Sequence, residues 1–194
     1  MRKLKLLIQT SIDGFIATKD GSTNWMIWNW GDDWKWDPIL QQDFYNITTS
    51  VDCVLISRQM AEEGFVGHWE KMSENTGNSQ APFAKHIADI PKIVFSKTLK
   101  QSTWKNTVLS SDPSKTIAQL KQQPGKDIIV YGGATLASFL IRKNLVDEYN
   151  LLINPVILGK GMPVFSGVKT ITGLSLVSTT AYSCGVSLTV YNRE

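Results

Sequence analysis

The sequence predicts a three-layer α/β domain: a mostly parallel central sheet with helices on both faces and an antiparallel hairpin at the C-terminus. Three observations predict it. Short apolar runs of the kind buried in a parallel sheet recur at 4–10, 51–57, 92–96, 107–110 and 128–131. Segments with helical spacing or helix-start signals lie among them. Two alternating segments, 174–180 and 186–191, then flank Ser183-Cys184-Gly185, as a closing hairpin would. At 194 residues the chain suits one well-packed domain spanning 1–194, and no linker, repeat or low-complexity tract divides it.

Taken in order, the first strand runs over 4–10 and Asp13-Gly14 turns the chain. A short extended piece at 15–17 leads to a second turn at Lys19-Asp20-Gly21. The stretch 25–36 holds five of the seven tryptophans, Trp25, Trp28, Trp30, Trp34 and Trp36, with Asp32 and Asp33 between them. Such density reads either as packing of an insertion or as a lid or dimer contact. Asp37-Pro38 opens a helix to about residue 48, because Asp caps and Pro suits the first helical position. After the strand at 51–57, the polar, glycine-containing stretch 61–80 reads as a loop excursion. A helix at 82–88 and strands at 92–96 and 107–110 follow. A helix at 114–122, capped by Asp112 or Ser114, ends at Pro124-Gly125. The strand at 128–131 runs into Gly132-Gly133, and 134–144 has helical spacing, with Leu136, Phe139, Leu140 and Leu145 on one face.

Charge and cysteine content narrow the function classes. Twenty basic against seventeen acidic residues leave a net +3, scattered along the chain, which implies no nucleic-acid partner. Cys53 and Cys184 form no CxxC pattern, and His68 and His86 are isolated, so neither a metal site nor a disulfide framework is expected. The apolar part of the N-terminus, 6–8, is too short for a signal peptide, and no run is long enough to cross a bilayer. A cytoplasmic protein with no membrane partner is the expectation.

The strand–Gly-Gly–helix junction at 127–135 carries the most chemistry. Paired glycines there let backbone N–H groups approach a ligand where a Cβ would intrude. The following helix start offers unpaired amides and a positive dipole end to an anion. The same pair also serves plain tight packing, and spacing alone leaves both open.

Several segments together resemble a known family. TSIDGFIA (10–17), VLISRQM (54–60), VFSKTL (94–99) and the long block YGGATLASFLIRKNLVDEYNLLINPVILGKGMPVF (131–165) occur in order. This arrangement resembles the dihydrofolate reductase superfamily. The nearest branch contains the reductase domain of bifunctional riboflavin-biosynthesis proteins and their stand-alone relatives. The resemblance covers nearly the whole chain. It implies a dihydrofolate reductase-like fold, a homodimer, and an NADPH-dependent reductase of a small pterin-like or ribosylaminopyrimidine-like heterocycle.

Carried over by position, Gly132, Gly133, Ala134 and Thr135 would hold the coenzyme's pyrophosphate. Ser57 and Arg58 would meet its adenosine phosphates, and Ser96 and Lys97 would lie near the 2′-phosphate or adenine. Ile16 and Ala17 would line the nicotinamide pocket. A cation beside the 2′-phosphate fits the physics, since that group adds about two negative charges. Asp13, after the first strand, is the candidate catalytic carboxylate; its alternative is a turn aspartate bonding its own backbone. Trp25 is the candidate cover for a flat substrate. Asp43, on the first helix, is the second substrate candidate, although the register from Arg58 would put the superfamily's carboxylate nearer Gln41. Lys160, within LGKG, would either reach an anion or sit in solvent between two turn-shaping glycines. Three positions depart from the branch's pattern: Ser57 for glycine, Met60 for threonine, and Tyr131 for glutamate. The coenzyme-binding module without catalysis is the alternative function.

Overall fold

The computed structural model describes residues 1–27, 37–78 and 80–194. Trp28, Trp30, Trp34 and Trp36 therefore lie outside the described residues, with Asp32 and Asp33. The chain runs β1 (Leu4–Thr10), β2 (Phe15–Ala17), α1 (Pro38–Thr49), β3 (Val51–Ser57), α2 (Arg58–Glu62), α3 (Phe65–Glu74) and α4 (Ala81–Asp89). It continues β4 (Lys92–Phe95), β5 (Thr107–Ser110), α5 (Pro113–Gln122), β6 (Asp127–Val130), α6 (Ala134–Arg142), β7 (Glu148–Ile153), β8 (Met162–Pro163), β9 (Leu174–Ala181) and β10 (Ser187–Arg193).

Eight strands form one sheet in the order β5-β4-β3-β6-β1-β7-β10-β9. Pairing is parallel from β5 through β7 and antiparallel from β7 through β10 to β9. The expected sheet and its closing hairpin are thus both present. The centres of β3 and β6, 53–56 and 128–130, read as unbroken apolar runs because both sheet faces are covered. One face packs Val54, Ile56 and Ile129 against α1 through α4; the other packs Leu6, Leu55 and Val130 against α5 and α6. Among the described residues no helix is long and apolar enough to cross a membrane.

Local chemistry accounts for the helices. Asp37 accepts hydrogen bonds from the amides of Ile39 (2.8 Å) and Leu40 at the start of α1, and Pro38 follows at the first helical position. Leu40, Phe44 and Thr48, one turn apart, are the buried face. The second Asp37 oxygen accepts from the amide and hydroxyl of Ser183, which ties this helix to the β9–β10 turn. Asp112, not Ser114, caps α5 through the Lys115 amide.

The stretch 61–80 is the main correction to the sequence reading, because α3 and the end of α2 replace the expected loop. Phe65, Val66, Trp69 and Met72 form a buried stripe, and Trp69 packs edge-on against Phe83 of α4 at 4.7 Å between ring centres. Gly64 precedes the helix with φ +104, so the chain turns sharply where it looked merely loose.

Lys92 is fully buried, and its ammonium donates to the carbonyls of Ala88 (2.9 Å) and Ile90 (2.8 Å) at the end of α4. Burial lowers its pKa from 10.5 to about 8, with Glu70 and Asp89 opposing the shift. Between those values unfolding takes up a proton, so rising pH favours the folded state. In urea melts from pH 8 to 10 the wild type should gain on a Lys92→Met variant, by up to about 1 kcal/mol per pH unit.

Candidate active site

The site lies where neighbouring strands send their helices to opposite faces. β3 and β6 are adjacent and parallel. The chain leaves β3 into α2 on the α1–α4 face, and leaves β6 through Gly132-Gly133 into α6 on the other. Such a division opens a crevice at the carboxyl ends of the strands, the usual place for a ligand in an open α/β sheet. A cavity of about 460 Å³ occupies it.

The glycine pair is built for close approach. Gly132 and Gly133 have φ of +118 and +80, a region that L side chains rarely adopt. A Cβ on Gly133 would fall 2.6 Å from Ser57 Oγ and 2.8 Å from Ser57 Cβ. No side chain caps the start of α6, among the described residues, which leaves its first amides facing the crevice. Ser57 caps α2 through the Met60 amide at 3.2 Å. Its hydroxyl fits between two elements although the resembled pattern has glycine there.

Of the residues expected to contact a coenzyme, Ile16, Ala17, Ser57, Arg58 and the 132–135 segment all line this one cavity. Ser96 and Lys97 do not. The Ser96 hydroxyl instead accepts from the amides of Thr98 and Leu99, shaping the turn. That turn still touches the site, because Arg58 donates to Thr98 Oγ1 at 2.9 Å.

The expected acids fare differently. Asp13 is exposed and lies off the cavity lining; its carboxylate accepts from the amides of Leu158 (3.1 Å) and Gly159 (2.7 Å). The Ser11 hydroxyl foremost, joined by those amides, holds it below the ordinary carboxyl range against the opposing effect of desolvation. Through these bonds Asp13 clasps the β1–β2 turn to the 158–159 turn, as a turn aspartate would. Asp43 is also away from the cavity, where it accepts from the Tyr182 hydroxyl at 2.7 Å. Burial, and then this carboxylate, push the Tyr182 phenol well above its usual range. Trp25 does not line the cavity either; its indole N–H is buried with no hydrogen-bond partner among the described residues.

Several lining residues were not expected from the sequence. Phe44 arrives from α1, Leu152 from β7 and Met162 from β8. Tyr131 precedes the glycines, and its hydroxyl is 2.7 Å from Thr48 Oγ1 in the core. Burial raises this phenol far above its ordinary value, and the Thr48 contact offsets only part of that. Its departure from glutamate thus replaces a charge with an aromatic wall. The β2–β8 ribbon carries Ile16, Ala17 and Met162 to one side of the cavity. Lys160 is exposed in the turn just before it.

The RibD C-terminal domain pattern matches residues 2–188. The chain belongs to that family. Uncharacterized protein YyaP of Bacillus subtilis (strain 168) is 31% identical over 98% of this chain and 95% of its own length. Uncharacterized protein YwjB of the same strain is 27% identical over 96% of each. Among solved structures, a putative riboflavin biosynthesis protein from Shewanella sp. PV-4 superposes with a TM-score of 0.70 at 20% identity, covering 99% of both chains. A Thermotoga maritima diaminohydroxyphosphoribosylaminopyrimidine deaminase/5-amino-6-(5-phosphoribosylamino)uracil reductase gives 0.67 at 17% identity, with this chain spanning 57% of it. At these identities the superpositions establish the dihydrofolate reductase-like fold of a RibD C-terminal domain.

Proposed function

We propose that the protein is an NADPH-dependent reductase of a pterin-like or ribosylaminopyrimidine-like heterocycle. The observation that carries this reading is the glycine pair at the uncapped start of α6, opening on a crevice that Arg58 also lines. A diphosphate would lie on the amides of 133–135, where no Cβ of residue 133 intrudes. Arg58, steadied by Thr98 and by Glu62 at 3.5 Å, would pair with the 2′-phosphate beside the exposed Lys97. Ile16 and Ala17, both buried, would keep water from the nicotinamide. Bound there, NADPH supplies a hydride to a C=N or C=O carbon.

The test is a titration with NADPH and NADH followed by nicotinamide fluorescence. NADPH should bind more tightly by about 10- to 100-fold, and Arg58→Ala should remove most of that preference while leaving NADH affinity nearly unchanged. Failure of both to bind, or a preference for NADH, contradicts the proposal.

The position of Asp13 outside the cavity favours a second reading, an NADP(H)-binding module with little catalysis. NADPH binding without oxidation across pterins and ribosylaminopyrimidines would support it. The protein is further proposed to be cytoplasmic and a homodimer. β9 supports the dimer: it is an eight-residue edge strand without proline or charge, with Leu176 and Val177 exposed. Light scattering should give twice the chain mass, and a Val177→Lys variant should give the monomer.

A further inference from the structure

The charge that lines the cavity comes from one part of the chain. Among the described residues its charged lining groups are Arg58 and Glu63, both beside α2. Arg58 is engaged by Glu62 and Thr98, and Glu63 has the wrong sign for an anion. The lining away from α2 carries no charge: Phe44, Leu152, Met26, Met162 and the ring of Tyr131 stand there with the neutral polar groups of Gln9 and Thr23, and Met60 joins them from α2 itself. The Tyr131 hydroxyl is already engaged by Thr48, so the ring is what this residue brings to the chamber.

Three of these residues are thioethers from three separate segments. Met26 follows β2, Met60 sits on α2 and Met162 opens β8. Unbranched, polarizable side chains adapt to flat rings and interact well with their edges. An ionised phosphate ester entering here would leave water to find Arg58 as the one lining cation among the described residues, already held by Glu62 and Thr98. A neutral ring system would lose little hydration and gain contact on every side.

We infer that the substrate is an uncharged, planar, conjugated heterocycle that enters without a phosphate ester and packs between Tyr131, Phe44 and the methionines. The inference rests on the reductase reading and narrows its substrate. The conjugated C=N or C=O bond gains a hydride at carbon and a solvent proton at its heteroatom, both electrons coming from NADPH, which becomes NADP⁺.

The test uses the wild-type protein saturated with NADP⁺ and three fluorescent probes: methylpterin, neopterin and neopterin monophosphate. Methylpterin and neopterin should bind at least tenfold more tightly than the monophosphate. Met60→Lys should strengthen monophosphate binding at least tenfold; Met162→Lys, at a residue 39% exposed, repeats the test if the first variant does not fold. Monophosphate binding as tight as that of neopterin overturns the inference, and so does the failure of all three probes to bind. Failure of the reductase reading itself would show separately, as loss of NADPH binding in the titration without probes.

Discussion

Replacing Gly133 by alanine should abolish measurable NADPH binding and destabilise the fold, for two separable reasons. The residue holds φ +80, which costs an L side chain about 1–2 kcal/mol. Its new methyl would also lie 2.6 Å from Ser57 Oγ and 2.8 Å from Ser57 Cβ, closer than real side chains come. The Ser57 hydroxyl cannot simply swing away, since it caps α2 through the Met60 amide. Overlap of this kind typically costs about 1–3 kcal/mol. The clash has one partner, so Ser57→Gly should relieve it. In a double-mutant cycle the pair should be more stable than the sum of the singles by about 1 kcal/mol or more, read from urea midpoints. The backbone strain and the methyl over the α6 amides would remain, so NADPH affinity should stay low in the double variant. Full recovery of NADPH affinity on removing Ser57 would mean that the amides are not the binding element. Gly132→Ala is the companion: its nearest neighbour would be Ile8 Cδ1 at 3.9 Å, so there φ alone is at issue.

Why this junction was legible in the sequence, while the acids were not, is a matter of range. A strand, two glycines and a helix are contiguous, and their chemistry is local. The strands were legible for the same reason: burial on both faces leaves unbroken apolar runs such as 53–56. The helix α3 was missed because Gly64, Gly67 and the polar His68, Glu70 and Lys71 hid the stripe of Phe65, Val66, Trp69 and Met72. The spacing was present, and counting it would have found the helix. Asp13 is the opposite case. Its partners lie about 145 residues away along the chain, and only the β1–β7 pairing brings them together. Asp43 meets Tyr182 in the same way, 139 residues on. The aromatic and thioether wall gathers side chains from α1, α2, β7 and β8, for which no single segment carries a signal.

The second large effect is expected at Gly161, read from the sequence as a turn-shaping glycine although it has no positive φ. A Cβ there would overlap the Ala17 carbonyl oxygen and lie 3.2 Å from Phe15 Cδ1. The carbonyl belongs to β2, the strand that pairs with β8 through Phe15↔Pro163 and Ala17↔Met162. Backbone cannot rotate aside as a side chain can, so Gly161→Ala must pry the ribbon open. Ile16, Ala17 and Met162 then leave the cavity wall together. Overpacking of this kind costs about 1–3 kcal/mol, and the lost ribbon contacts add to it. Thermal melts should therefore fall by several degrees. Binding of a planar probe to the coenzyme-loaded protein should weaken by tenfold or more, while coenzyme affinity, set at Arg58 and the glycine pair, changes far less. Lys160→Ala, one residue earlier and exposed, is the control and should alter neither. Asp13→Asn separates the clasp from catalysis in the same measurements. An amide presents an N–H₂ group as well as one acceptor to the Leu158 and Gly159 donors, so at least one of those bonds is lost and the melt should shift. A catalytic acid replaced by its isosteric amide would leave stability intact and remove turnover alone. Unchanged melting with lost turnover would return Asp13 to the chemistry and remove the clasp.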